Sequence, residues 1–337
     1  MLRAAKHTVI SGLRRAGVFR LANSSPWRRR RLIVLCYHGV SLADEHEWGP
    51  ALYLSQRTFE VRMNLLRQHR YCVLPLSQAI GALYAGELPD RAVAITFDDG
   101  SHDFYCRAFP VLESHGFPVT VYLTTYYSSY NRPVFDVACS YLLWKRRGTR
   151  TRFCDLTLDL TDTNWRSYIP DLRTRVAGLS GVEKDAFLTA LGRALGFDYE
   201  AFAAQRMLHI LNPAEVSALA RRGVDFQLHT HRHRAPRDRA LFRREIEDNR
   251  RCILEMTGQS PVHFCYPSNV QAPEFRDWLS ELGVQTATTC DAGLASPGSH
   301  PLRLPRFLDT NNLTDAEFES WLSGVAAFLP SRSAAQR

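Results

Sequence analysis

No stretch of this 337-residue sequence reaches the ~18 apolar residues that a membrane-spanning helix requires. The N-terminus also lacks the long apolar run of a secretory signal. Its longest uncharged stretch, His7 to Leu13, includes His7, Thr8, Ser11 and Gly12, so export by that route is not expected. Eight cysteines are present, yet none stands in a C-x-x-C pair, which removes the usual zinc-ribbon and dithiol signatures. Without a signal they read as reduced thiols of a cytoplasmic protein, with Cys36 and Cys265 acting as small hydrophobes in strand-like runs. No internal repeat or low-complexity tract is visible. Hydrophobic residues still make up 45% of the chain, so wholesale disorder is excluded and a large core is available.

Acidic residues are missing from the first 31 positions, which hold nine Lys or Arg. The net charge of +8 therefore sits in an N-terminal arm, and the remainder is nearly balanced, with 33 basic residues against 34 acidic. Leu2, Ala5, Val9, Leu13 and Ala16 share one side of a helical wheel with basic residues around them. This pattern suits a helix lying on anionic lipid, although Gly12 and Gly17 weaken it and a frayed basic tail gives the same composition. The Arg28 to Arg31 run has no nucleic-acid motif around it, and no nucleic-acid partner is expected.

From residue 32 the hydrophobic period alternates between strand and helix. Strands are expected at Leu32–Cys36, Tyr71–Leu74, Ala92–Phe97, Val119–Leu123, Val224–Leu228, Val262–Tyr266 and Val284–Thr289. The intervening helices carry start signals at Ser55, Ser77, Asp103 and Asn212-Pro213, and stops at Gly86, Gly116 and Gly258. Residues 126 to 211 break the rhythm. They are mainly helical, with one alternation at Leu156, Leu158 and Leu160 and a capping-box spacing at Ser180 and Glu183, and they read as an insertion. An irregular proline-containing stretch, 297 to 305, leads to a last helix with a capping box at Thr314 and Glu317. Residues 326 to 337 read as a tail. Seven strands alternating with helices imply a mainly parallel sheet.

The chemistry concentrates at two strand ends. Thr96-Phe97-Asp98-Asp99-Gly100 closes the third strand with adjacent carboxylates. These repel unless a proton or a cation compensates them, and a metal held by one would leave the other free as a base. His229-Thr230-His231-Arg232-His233 follows the fifth strand, and the i, i+4 spacing of His229 and His233 suits two imidazoles on one side of a helical turn. Carboxyl ends of parallel strands share one face. Asp99, His229 and His233 thus form a candidate three-ligand set, the number found in catalytic zinc sites. Taken singly, each motif also reads as a polar turn or a solvated basic loop.

Together these motifs resemble the polysaccharide deacetylases, the nodulation-factor deacetylase homology group of carbohydrate esterase family four. Phe264-Cys265-Tyr266-Pro267 is similar to that family's aromatic-proline motif. Leu35-Cys36-Tyr37-His38 resembles its opening strand, and Leu302-Arg303-Leu304-Pro305-Arg306 resembles a late segment of one branch. The resemblance implies a distorted (β/α)₇ barrel and metal-dependent N-deacetylation of a sugar. Asp98 would be the base, and Asp99, His229 and His233 would hold a divalent ion, with zinc expected. Tyr266, Pro267 and Arg306 would bind substrate, and a backbone N–H near Tyr266 would face the oxyanion. Two departures stand out. Pro267 is followed by Ser268-Asn269, and no histidine follows His300 to serve as general acid. His38 is the candidate acid, with protonated Asp98 as the other option. Arg303 and Arg306 are open to orienting Asp98, binding substrate or forming plain ion pairs.

The expected activity is deacetylation of an N-acetylated glycan or glycolipid precursor, in the cytoplasm and with peripheral membrane contact through residues 1–31. A glycoside hydrolase would need two carboxylates flanking one bond, which sequence neighbours cannot do, and would leave the histidines idle. A non-catalytic glycan-binding protein would have no use for an intact acid-histidine set.

Overall fold

The computed structural model describes residues 2–329. Its centre is a closed ring of parallel strands. Numbering the strands of this sheet along the chain, they are β1 (Ile33–Tyr37), β2 (Cys72–Val73), β3 (Ala92–Phe97), β4 (Thr120–Leu123), β5 (Asp225–Leu228), β6 (His263–Cys265), β7 (Thr286–Ala292) and β8 (Leu304–Leu308). The ring runs β1, β3, β4, β5, β6, β7, β8 and back to β1, with Leu35 paired to Ile95 on one side and to Phe307 on the other. Seven of the eight strands close the barrel.

They are not quite the seven that the hydrophobic pattern marks. The expected second strand exists only as Cys72–Val73, which pairs with Ala92 and Val93 outside the ring. Higher up, the same edge of β3 is taken by β4, through Thr96 and Phe97. The seventh barrel strand is β8, in the stretch read as irregular. Pro305 and an inward arginine disguise it, and the β7 strand that receives it is bulged between Thr288 and Ala292.

Side chains alternate across the barrel wall, as strand geometry requires. Val34, Ala94, Tyr122, Cys265 and Leu304 pack in the lumen with Leu76, Ala79, Ile80 and Leu83 of the helix Leu76–Ala85. Leu35, Ile95, Val121, Phe226, Phe264 and Phe307 face the surrounding helices. Ser77, expected as that helix's cap, lies inside it, and its hydroxyl meets His263 Nε2 at 2.6 Å. Asp103 does not cap either; its Oδ1 accepts from Val40 N–H at 2.8 Å. The chain there runs through a π-helical segment, Phe104–Ala108, into Phe109–His115, which accommodates Pro110 without a missing donor. The capping boxes at Ser180, Asn212 and Thr314 are all formed.

The insertion, residues 126–211, has its own core around Trp165, Leu188, Leu191 and Tyr199. Leu156–Asp159 forms an antiparallel hairpin with Arg150–Phe153. Tyr141 and Trp144 belong to this core, and Tyr141 donates to Asp44 Oδ1 at 2.5 Å. The exit of the insertion returns to the barrel mouth, where Leu211 N–H donates to Gly100 O and His102 N–H to His209 O, both at 2.8 Å.

The basic arm is helical and docked. Leu2–Arg15, Val18–Asn23 and Pro26–Arg29 pack beneath the barrel, with Ile10 and Phe19 buried against Ala316 and Val325. Arg28 is fully buried, and its guanidinium donates to the carbonyls of Leu322, Arg31 and Ala92. Ala92 is the first residue of β3, so the arm sits at the end of the barrel opposite Asp98. On the face read as lipid-binding, Leu13 is drawn into the docked cluster while Val9 stays 52% exposed. Val325–Phe328 forms a short 3₁₀ turn with Phe328 against Trp27 (4.7 Å between rings), so only the later part of the expected tail, residues 330–337, lies outside the described residues.

Candidate metal and catalytic centre

Asp98 and Asp99 are parted by the backbone. Asp98 continues the inward parity of β3 and donates its N–H to Tyr37 O at 2.8 Å. Asp99 adopts φ 68°, a left-handed conformation that costs a side-chain-bearing residue about 1–3 kcal/mol, and turns its carboxylate to the barrel mouth. Gly100 completes the turn at φ 76°, and a Cβ there would lie 2.4 Å from the Leu123 side chain. The two carboxylates face different partners, Asp98 the Arg306 guanidinium and Asp99 a pair of imidazoles.

Asp99 Oδ1 lies 3.2 Å from His229 Nε2 and 3.3 Å from His233 Nε2. The two imidazoles do not converge on a helical turn. Residues 229 to 233 form an irregular bend in which Thr230 (φ 63°) and His233 (φ 55°) are left-handed. Glu245 pins the bend by accepting from Arg232 N–H at 2.7 Å. His229 Nδ1 donates to Cys265 O at 2.9 Å, which orients the ring with Nε2 toward Asp99. Asn249, fully buried, accepts from His229 N–H at 2.9 Å and donates to Leu123 O at 2.9 Å, tying two strand ends together. An amide on the apolar face of a long helix is the sequence signal for that role.

The three side chains suit a divalent ion. Asp99 Oδ1 is buried without a hydrogen-bond partner among the described residues, although two imidazole nitrogens lie 3.2 and 3.3 Å from it. The three donor atoms lie within 4.8 Å of one another, and one carboxylate with two imidazoles suits a borderline divalent ion. Burial works to raise the Asp99 carboxyl, but the imidazoles of His233, His229 and His38 outweigh it and hold it well below the usual carboxylate range.

Asp98 lies deeper, almost wholly buried. Arg306 takes both of its oxygens, Nη1 to Oδ1 and Nη2 to Oδ2 at 2.7 Å each. Thr96 Oγ1 accepts from the same Nη1 at 3.1 Å, and Thr289 O accepts from Nε at 2.9 Å. Burial pushes Asp98 upward; Arg306, with His38 and His229, pulls it below the usual range and keeps it anionic. Three thiols line this ion pair. Cys265 Sγ and Cys36 Sγ stand 3.4 and 3.6 Å from Asp98 Oδ2, and Cys290 Sγ is 3.5 Å from Arg306 Nη2. Contact with Cys36, aided by Arg306, brings the Cys290 thiol down to about 6 against the effect of burial. Cys36 and Cys265 are thus more than small hydrophobes, though nothing in their sequence spacing reveals it. His38, at the end of β1, has Nε2 3.9 Å from Asp98 Oδ2, and its Nδ1 is buried without a partner.

The expected substrate contacts fare differently. Arg306 is fully buried with its fork spent on Asp98, whose carboxylate it orients. Tyr266 is 3% exposed, its hydroxyl donates to Leu302 O at 2.9 Å, and its N–H donates to Thr288 O at 3.3 Å. Pro267 is buried beside it. Arg303 is 59% exposed and paired with Asp291 at 3.5 Å, a surface ion pair.

The family described as Polysaccharide deacetylase has a profile that matches residues 85–287, more than half of the chain. The poly-β-1,6-N-acetyl-D-glucosamine N-deacetylase of Escherichia coli (strain K12) is 33% identical over 101 residues, which is 29% of this chain and 14% of that protein. The enzyme of the same name from Staphylococcus aureus is 32% identical over 72 residues, 21% of this chain and 25% of that protein. The matched stretch is a minor part of each relative's length. Among solved structures, the Streptococcus pyogenes deacetylase PplD in complex with acetate superposes with a TM-score of 0.59 at 16% identity, covering 87% of this chain and 98% of that one. IcaB from Ammonifex degensii gives 0.54 at 19% identity, covering 88% and 96%. At these identities the likeness is one of fold.

Proposed function

The chain belongs to the polysaccharide deacetylase family, and we propose that it hydrolyses the N-acetyl group of a sugar in a polysaccharide, an oligosaccharide or a lipid-linked glycan precursor. The observation that carries this reading is the division of labour between neighbouring acids. Asp99 faces two imidazoles with an unpartnered oxygen, and Asp98 is held anionic by Arg306 within reach of the same mouth.

Asp99, His229 and His233 would hold the divalent ion, for which zinc is proposed. Bound there, such an ion polarises an amide carbonyl and acidifies water. The remaining work falls to the chain. Asp98 accepts the proton of the attacking water, and Arg306 fixes its carboxylate plane. His38, 3.9 Å from Asp98 Oδ2, is the residue proposed to hand a proton to the departing sugar amine. Cys36 and Cys265 border the Arg306–Asp98 pair as weakly hydrogen-bonding groups, and Cys290 lies on its Arg306 side.

The test combines metal content with acetate release from N-acetylated oligosaccharides. Asp99→Ala, His229→Ala and His233→Ala should each lower metal content of the purified protein. Asp98→Asn should keep the metal and lose turnover. A site emptied by Asp98→Asn but full in Asp99→Asn would reverse the assignment, and undiminished acetate release after chelation would overturn it.

Among the described residues, no helix is long and apolar enough to cross a membrane. Peripheral contact with anionic lipid through the arm remains part of the proposal, as does residence on the cytoplasmic side. Because the arm docks at the opposite end of the barrel from Asp98, lipid held there would not face the metal centre.

A further inference from the structure

Beside the His229–His233 bend lies a cavity of about 400 Å³ that the reaction as described does not use. That volume falls within the roughly 300–1,000 Å³ of small-ligand sites. One wall is aromatic. Tyr126, Tyr127 and Tyr130 line it, and the rings of Tyr126 and Tyr130 lie nearly parallel (18°) with centroids 6.5 Å apart. Tyr130 is seated against Gly181, where a Cβ would come within 2.5 Å of its ring. Tyr126 is joined to the metal loop through its N–H, which donates to His231 O at 2.8 Å.

The charges are asymmetric. Two acids line the cavity, and both are paired: Asp136 with Arg173 at 3.0 Å, and Asp185 with Arg132 at 3.4 Å. Three cations also line it: Arg173 is the one spent on Asp136, whereas Lys184 and Arg234 form no ion pair among the described residues. Lys184 comes from the insertion. Arg234 directly follows His233, so its backbone lies about 3.8 Å from that ligand's. The cavity therefore shares a loop with the metal ligands, although none of Asp98, Asp99, His229 and His233 lines it.

We propose that this cavity is an acceptor subsite for an anionic glycan, with a carboxylate or phosphate on the sugar chain held between Lys184 and Arg234 and a sugar ring lying on Tyr126 and Tyr130. Both groups present the charged oxygens that an unpaired ammonium and guanidinium recognise. The tyrosines offer rigid apolar faces with polar rims, as the faces of a pyranose require. A neutral chain would leave the half-buried Lys184 and the exposed Arg234 to solvent alone. The proposal deepens the deacetylase reading and rests on it, but its test needs no turnover.

Binding is measured by calorimetry on the full, metal-free chain at low ionic strength. The probes are a hyaluronan tetrasaccharide, which alternates N-acetylglucosamine with a uronate, the neutral chitotetraose, and N-acetylglucosamine 1-phosphate against free N-acetylglucosamine. The charged member of at least one pair should bind about tenfold tighter, with a preference that fades as salt rises. Lys184→Gln and Arg234→Gln should each reduce the preference several-fold, and Lys184→Glu should reduce it further. A preference confined to the uronate assigns a carboxylate, and one confined to the phosphate assigns a phosphate or a lipid-linked diphosphate sugar. Equal affinities within both pairs, or a preference that survives the double Gln substitution with an unchanged melting temperature, would overturn the subsite. Absent acetate release with intact charge preference would instead overturn the deacetylase reading alone.

Discussion

Arg306 reaches from the last barrel strand to both carboxylate oxygens of Asp98, 208 residues away, at 2.7 Å each. The pair is buried on all sides, so its two charges depend on each other. Removing one partner from such a pair is costly because the other stays in place without compensation.

The first prediction follows from that dependence. Arg306→Ala should destabilise the fold by roughly 3–5 kcal/mol in urea unfolding. Without Arg306 the upward push of burial on Asp98 is no longer outweighed, so the carboxyl should take up a proton nearer neutral pH. The acid limb of kcat/KM should then move to higher pH, with activity at pH 7 falling roughly 10²-fold or more. Arg306→Lys keeps the charge but not the fork and should lie between. An acid limb that stays in place would separate Arg306 from Asp98's basicity.

His38 is tested apart from the metal. His38→Ala should leave metal content unchanged, lower kcat by about 10²-fold and alter the alkaline limb of the profile. A variant with native rate and profile would remove His38 from proton transfer.

Asp103 supplies a pH dependence of stability. Burial, reinforced by Glu45, raises its carboxyl from 3.8 to about 7 against the pull of the Val40 N–H. A carboxyl raised on folding contributes stability that is fully present below the unfolded value near 3.8 and is lost as pH rises through about 7. Asp103→Asn retains the oxygen that accepts from Val40 and cannot ionise. Its urea midpoint should vary less than the native midpoint between these values, and should exceed it above pH 7. Parallel curves for the two proteins would count against a buried neutral carboxyl.

The arm calls for point substitutions rather than deletion, because Arg28, Ile10 and Phe19 belong to the folded body. Arg15, Arg20 and Arg30 are exposed and form no ion pair among the described residues. Changing all three to Gln should weaken sedimentation with anionic vesicles, in a salt-dependent manner, while leaving the melting temperature unchanged. Equal binding of native and variant protein would remove the arm as an electrostatic anchor.

The sequence alone determined what local chemistry and period can carry. Asp98, Asp99, His229 and His233 were legible because strand ends in parallel α/β proteins share a face. Six of the seven barrel strands were legible because their apolar runs are buried on both sides. Tertiary structure decided the rest. β8 is a barrel strand because β7 and β1 hold it, and its inward Arg306 finds its counter-charge on β3, which a local reading of Leu304–Leu308 cannot supply. Cys72–Val73 stays outside the ring because β4 occupies the same edge of β3 above it. Adjacent Asp98 and Asp99 face different partners only because the left-handed turn at Asp99 is stabilised by Leu123 packing on Gly100 and by the returning insertion. Tyr126, Tyr130, Tyr141 and Trp144 follow one another within the first part of the insertion, yet the first pair lines a cavity and the second fills a core. That distinction is made by what packs against each ring, and packing partners come from anywhere in the chain.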